Sequence, residues 1–350
     1  MTASEVTDDD AKSDLWVITA FYNLAGWSSR LENYRAFHRA LSVPLATIEW
    51  NPAGRFQLAA TDADRLIQVQ GGDLMWQKER LLGRALSALP GHVRYVAWVD
   101  CDIIFADPQW HQRMRRLLQD QLVVQPFRRV VYLSNEATRR FVRGGESVAE
   151  ALRDDSSGEF GDTPSRPSFL DLCERVGGEI ARIDLQRRFE PQPGRVGQYN
   201  IMARPAYGHA WVARIDAIRR IGYYERCVMG GGDLLSAYGL IGQYDEMIAN
   251  HRSVGWDFYG GGASYREWAR QAAEVCRDRL KCGDETIMHL HHGSLEDRQY
   301  RSRIDGLVRF RLDIDRDIAA DAGEPWSWTR NASELNGYFL EYLRNRKEDN

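Results

Sequence analysis

Two periods of apolar residues run along the chain and predict its elements. Leu15-Trp-Val-Ile-Thr-Ala-Phe-Tyr22 is a continuous β-rich run and reads as a first strand. From Ser29 to Leu41 the apolar positions Leu31, Tyr34, Phe37 and Leu41 recur at helical spacing, with His38 on the same face. Leu45 to Trp50, closed by Asn51-Pro52, and Leu66 to Gln70, closed by Gly71-Gly72, read as two further strands. Leu74 to Leu89 is helical through Met75, Leu81, Leu82, Leu86 and Leu89, and Pro90-Gly91 stops it. The apolar run Tyr95 to Val99 then gives a buried strand. This order predicts a Rossmann-like α/β fold, with a mostly parallel central sheet, flanking helices and right-handed crossovers. Its ligand crevice should lie at the strand ends near Thr19–Asn23, after Val69, and at Asp100–Asp102.

Downstream, Trp110 to Leu118 predicts a helix, and Leu122 to Phe127 and Val130 to Leu133 predict two strands. From Gly144 to Gly197 the pattern breaks into Asp, Ser, Gly, Pro and Arg with short helical pieces, which suits an insertion or lid. Tyr207 to Arg214 reads as a strand, Ile215 to Ile221 as a helix, and the turn at Met229-Gly-Gly-Gly-Asp233 as the start of another. Glu285 to Gly293 reads as a strand rich in histidine. The organisation expected is a disordered leader (1–14) and a catalytic domain (15–300). That domain divides into a nucleotide-sugar half (15–135), the insertion (144–197) and an acceptor and metal half (205–300). A helical C-terminal extension (301–350) follows, with an aromatic knot at Pro325–Trp328 and a last helix from Tyr338 to Arg346.

Composition narrows the function classes. A hydrophobic content of 43% and a charged content of 27% are ordinary for a globular protein of 350 residues. No apolar run is long enough for a membrane-spanning helix, and the acidic start lacks the layout of a signal peptide, so a cytoplasmic protein is expected. Five scattered cysteines show no paired zinc spacing and read as free thiols, Cys101 as a small core residue. A net charge of -4 gives no global attraction to nucleic acid. The glycine clusters fit neither the dinucleotide fingerprint nor the P-loop, which disfavours a nicotinamide dehydrogenase and a P-loop kinase.

Candidate chemistry begins where the Tyr95 strand ends, at Asp100-Cys-Asp102. On an extended backbone Asp100 and Asp102 point the same way, and two convergent carboxylates call for a hard divalent cation. The other reading is a turn cap followed by a helix start, without metal. Asp233 opens a helix, as a plain N-terminal acid or as a catalytic group. Three of the eight histidines gather in His289-Leu-His-His292, and His289 could approach a metal with either His291 or His292. Trp211 is balanced between core packing and stacking on a sugar or base.

In this order, the segments Trp76-Gln-Lys-Glu-Arg-Leu-Leu82, Val96 to Phe105, Gly208-His-Ala-Trp-Val-Ala-Arg-Ile-Asp216 with Gly230-Gly-Gly-Asp233, and His289-Leu-His-His-Gly293 resemble glycosyltransferases of the A-type fold, galactosyltransferase-like members in particular. The resemblance implies a nucleotide-sugar donor, a UDP-sugar, bound through Mn²⁺ or Mg²⁺. It assigns the ion to Asp100, Asp102, His289 and His292, with Asp102 as the direct carboxylate ligand. It assigns donor binding to Thr19, Phe21, Asn23, Lys78, Arg80, Asp100 and Trp211. Asp233 matches the residue that takes the acceptor proton in inverting members. The commoner Gly-Gly-Glu-Asp is here Gly-Gly-Gly-Asp, which leaves one carboxylate and puts the base in question.

The expected activity is therefore a metal-dependent hexosyl transfer to an acceptor hydroxyl, on a saccharide, a glycolipid or a hydroxymethylated base in DNA. The acidic balance argues against DNA and the arginines between 113 and 153 argue for it. A metal-dependent nucleotidyltransferase and a catalytically silent sugar-binding module are the competing classes.

Overall fold

The computed structural model describes residues 13–154, 165–188, 203–253, 262–294, 297–299 and 308–350. The expected leader, except its last two residues, and residues 155–164 and 189–197 of the 144–197 insertion lie outside these.

The chain opens with β1 (Leu15–Phe21), α1 (Ser28–Ala40), β2 (Leu45–Trp50), β3 (Arg65–Val69), α2 (Lys78–Ser87) and β4 (Tyr95–Val99). β3, β2, β1 and β4 lie side by side in that order, and all are parallel. α1 and α2 carry two of the crossovers that bring the chain back in the same direction, while β2 reaches β3 through a connection with a single 3-10 turn (Ala60–Asp62). β1 is buried on both faces, as its unbroken apolar run requires. Leu15, Val17 and Phe21 join one core with Tyr34 and Phe37 of α1. Trp16 and Ile18 join the other with Leu82 and Leu86 of α2.

A short β5 (Ile103–Phe105), α3 (Trp110–Asp120) and β6 (Val123–Tyr132) follow. The two strands expected from 122 to 133 are one long strand, broken by register shifts between Gln125 and Arg129. Pro126, which has no N–H to give a ladder, sits at that irregularity. α4 (Asn135–Val142) follows, and the stretch from 144 to 197, expected to carry short helical pieces, holds α5 (Val148–Asp154), β7 (Ser165–Pro167), α6 (Phe169–Val176) and α7 (Ile180–Arg188) among its described residues.

Next come β8 (Ala210–Arg214), α8 (Ile215–Ile221), α9 (Gly232–Leu240), α10 (Tyr244–Ser253), α11 (Ala263–Cys276) and β9 (Leu280–His289). Neither α10 nor α11 is anticipated by the apolar pattern as read above. Among the described residues the sheet has nine strands, in the order β3-β2-β1-β4-β8-β6-β9-β5 with β7 on β6. β8 is antiparallel to β4 and β6, whereas β9 is parallel to β6 and antiparallel to β5. The sheet is thus parallel in its first half and mixed beyond, with helices on both faces.

The last segment carries a small hairpin, β10 (Ile318–Ala319) with β11 (Ser327–Trp328), and then α12 (Ala332–Arg344). Buried Gln77 clamps this hairpin onto α2 by exchanging hydrogen bonds with both backbone groups of Trp326. Among the described residues, no helix is long and apolar enough to cross a membrane.

The mixed half decides what faces the crevice. The C-terminal ends of β1 to β4, β6 and β9 share one sheet edge with the N-terminal ends of β5 and β8.

Candidate active site

The acidic segment does not stay extended. After Val99 the chain turns, Ile103 N–H donating to the Asp100 carbonyl at 3.2 Å, before β5 begins. This turn gives the two carboxylates different partners. Asp100 stays beside the start of β8, its N–H donating to the His209 carbonyl at 2.8 Å. Asp102 reaches the end of β9, its carbonyl accepting from Leu290 N–H at 2.9 Å. The pairing of Ile103 with His289 puts Asp102 and the histidine segment together.

Asp102, His289 and His292 form one cluster whose ligand atoms lie within 4.8 Å of one another. His292 Nε2 is 3.3 Å from Asp102 Oδ2 and 3.2 Å from His289 Nε2. His289 Nε2 lies 4.0 Å from Asp102 Oδ1, a buried oxygen with no hydrogen-bond partner. A buried polar atom without a partner is costly, and a cation would satisfy it. Burial, followed by the Arg298 guanidinium, holds both imidazoles well below their ordinary pKa. They are neutral at neutral pH, the form that ligates metal. Burial and then Asp100 push the Asp102 carboxyl up to about 7. The donor set of one carboxylate and two imidazoles therefore fits a divalent ion. His291 is turned elsewhere, its N–H donating to Thr138 Oγ1 at 2.8 Å and its Nε2 lying 3.2 Å from the Asn350 carbonyl.

Asp100 belongs to a second group. Lys78 Nζ lies 2.6 Å from Asp100 Oδ1 and 3.0 Å from Asp233 Oδ1, bridging the two acids. Lys78 opens α2, the end of a helix where a cation is disfavoured. Burial also works against its charge, but Asp100 and Asp233 outweigh it and raise the pKa well above the ordinary value. His209, at φ 73°, hydrogen-bonds Tyr132 Oη through Nε2 at 2.9 Å and has Nδ1 3.9 Å from Asp100 Oδ2. Burial, with Arg166 adding, lowers its pKa to about 3.

Asp233 sits in the first turn of α9, which the backbone enters through Gly231 at φ 90°. Its carboxylate packs over Gly208, where a Cβ would lie 2.4 Å from Asp233 Cγ. A side chain at 208 would have to displace that carboxylate. A Cβ on Gly232 would likewise meet the Glu79 carboxyl at 2.0 Å. So the space beside Gly232 is filled by a carboxyl group from α2, one that sequence reasoning missed. The available signal was Glu79 at i, i+3 and i+7 with Leu82 and Leu86, an acid on the apolar stripe of its helix. Burial raises Glu79 to about 8, Lys78 opposing and Asp233 adding to the shift.

This carries a sign. A carboxyl whose folded pKa lies above its unfolded value contributes stability fully below the unfolded pKa and loses it as pH rises through about 8. The isosteric Glu79→Gln cannot ionise. Melting curves should therefore show the variant gaining on the wild type from pH 5 to pH 8, and a constant difference would mean that Glu79 is ionised in the native state.

The remaining sequence-predicted residues divide. Thr19 is buried and its hydroxyl donates to the Val99 carbonyl at 2.7 Å. Phe21 is fully buried against Tyr34, with ring centroids 5.0 Å apart. Both are structural because β1 has neighbours on both faces. Asn23, beyond the strand, is half-buried and ties its own loop, bonding both backbone groups of Trp27. Arg80 leaves α2 about 200° around from Lys78. There it pairs with Glu225 at 2.5 Å and lies over Trp326 at 4.4 Å, away from the Asp100 group. Trp211 is a core residue, stacked on Trp98 directly across the strand pair with planes 9° apart.

Neither a protein-family model nor a curated protein matches the chain. Among solved structures it is similar to residues 1–349 of S. aureus TarS in complex with UDP-GlcNAc, with 9% identity, 95% of this chain and 72% of that chain covered, and a TM-score of 0.35. It is also similar to the mannosyltransferase PcManGT from Pyrobaculum calidifontis in complex with GDP-Man and Mn²⁺, with 14% identity, coverage of 96% and 88%, and a TM-score of 0.24. Similarity to mouse xyloside xylosyltransferase 1, in its apo form, is 8% in identity, with coverage of 79% and 96% and a TM-score of 0.25.

Proposed function

We propose that this chain is a glycosyltransferase that moves a sugar from a UDP-sugar to an acceptor hydroxyl with inversion. One observation carries the reading. The 100–102 turn joins a buried carboxylate–imidazole cluster at Asp102 to a carboxylate–ammonium group that ends in the half-exposed Asp233.

Asp233 takes the proton of the acceptor hydroxyl. The oxygen then forms its bond to the anomeric carbon while the bond from that carbon to the diphosphate breaks, and the sugar inverts. Lys78 fixes Asp233 relative to Asp100 and keeps a positive charge at the mouth of the site. Asp102, His289 and His292 would hold a divalent ion, Mn²⁺ or Mg²⁺, which supplies positive charge against the departing diphosphate.

A saccharide or glycolipid suits the acceptor better than DNA. Four of the nine arginines between 113 and 153 are held in ion pairs: Arg113 with Asp107 and Glu285, Arg115 with Asp14, Arg128 with Asp171 and Asp284, and Arg140 with Glu136 and Glu146. Paired guanidinium groups do not make a phosphate-binding stripe.

Thermal melting against a panel of nucleoside diphosphates, with and without Mn²⁺, tests the donor class. UDP should raise the melting temperature only with Mn²⁺ present, by about 2.7 kcal/mol of stabilisation at a hundred times its dissociation constant. Absence of a shift with every nucleotide would remove the reading.

A further inference from the structure

The last five residues are built into the metal-binding cluster described above. Asp349 Oδ1 accepts from Ser29 N–H at 2.8 Å and Oδ2 from Ser28 N–H at 3.1 Å, satisfying the start of α1, which its own N-cap residue leaves uncapped. Glu348 is buried, with a side chain only 1% exposed, and is gripped by Arg30 at 2.8 Å and by Arg346 at 2.5 Å. Above them stands the outward nitrogen of a ligand imidazole: His292 Nδ1 is 3.3 Å from Arg346 Nη2 and 3.9 Å from Glu348 Oε1.

These two neighbours want opposite things of that nitrogen. Arginine can only donate, so the bond from Arg346 makes Nδ1 an acceptor. In a neutral ring the proton then sits on Nε2, which faces Asp102 and His289. That tautomer cannot give Nε2 to a cation. To ligate, Nε2 must lose its proton and Nδ1 must take one, with no net change of protons on the ring. Nδ1–H then repels the Arg346 donor and needs an acceptor, and Glu348 is the one in place.

Resting on the metal site of the proposed function, we infer that Glu348 and Arg346 set the tautomer of His292 in opposite senses, coupling metal occupancy to the arrangement of the 346–350 segment. Glu348 is the positioning residue for the metal-competent ring, and Arg346 holds the metal-free one. Outer carboxylates that orient a ligand imidazole change metal affinity by about 10–100-fold when removed. The coupling is reciprocal: a change that draws Glu348 away from the ring weakens the site, and metal alters the placement of Glu348 and Arg346 about it.

The test is calorimetric titration of the full chain with Mn²⁺, with metal-free melting temperatures recorded for each variant. Glu348→Gln should bind Mn²⁺ about 10–100-fold more weakly, and Arg346→Gln should bind it at least as tightly as the wild type. Asp349→Asn, which removes the adjacent charge facing α1, should leave the affinity unchanged. In ¹⁵N spectra of the metal-free protein, with His292 assigned by His292→Gln, the wild type should carry its proton on Nε2 and Arg346→Gln should move it toward Nδ1. Equal weakening by Glu348→Gln and Arg346→Gln, or by Glu348→Gln and Asp349→Asn, would overturn the inference. So would an Nδ1–H ring in the metal-free wild type, a reading available even if a variant fails to fold. Absence of Mn²⁺ binding by the wild type would overturn the site itself, and the inference with it.

Discussion

Asp233→Asn is expected to lower turnover by about 10²–10⁴-fold while leaving the affinity for UDP and Mn²⁺ within about threefold of wild type. The substitution keeps the shape that fits over Gly208, where a Cβ would already be 2.4 Å from Asp233 Cγ, and removes only the charge. Lys78 keeps its 2.6 Å contact with Asp100, so the base of the group stays anchored. The cluster of Asp102, His289 and His292 is untouched. What is lost is an acceptor for the hydroxyl proton, a loss felt in the transition state and not in donor binding. Single-turnover release of UDP, beside direct binding of UDP and Mn²⁺, separates the two. Near-normal release would place the base elsewhere, and the buried Glu79 beside Gly232 would be the next group to replace.

That neighbouring acid shows where sequence reasoning ends. Local signals are legible: the parallel half of the sheet follows from apolar runs and helical spacing, and β2 and α8 match their expected bounds. The pairing of distant segments is not. Asp102 finds His289 because β5 runs antiparallel to β9, a contact between residues almost two hundred positions apart that no local period encodes. The turn after Val99 was one of two readings open to the sequence, and the choice between them depends on β5 leaving β4 for the far side of the sheet. Hence His289 and His292 lie beside Asp102, while Asp100 goes to Lys78. Thr19 and Phe21 were drawn to the site by their place at a strand end, and Trp211 by the segment it shares with the resemblance. Strands with neighbours on both faces leave such side chains no exit.

Asp102→Ala should move two quantities in opposite directions. Mn²⁺ affinity should fall by more than about 100-fold, beyond the range seen on removing an outer partner, because the only carboxylate of the cluster is gone. The metal-free fold, by contrast, should become more stable at neutral and higher pH. Asp102 Oδ1 is buried without a hydrogen-bond partner, and the carboxyl pKa stands at about 7, raised by burial and then by Asp100. A raised folded pKa means that the group's contribution is full below the unfolded carboxylate value and lost as pH rises through about 7. Alanine removes that loss, and the backbone carbonyl of residue 102 still accepts from Leu290 N–H, so the turn persists. Melting without metal between pH 4 and pH 8 should show the variant gaining on the wild type, and titration at pH 7.5 should show the binding gone. If Asp102→Ala kept its Mn²⁺ and Asp100→Asn lost it, the turn would be delivering the other carboxylate, and the separation of the two aspartates would not survive metal binding.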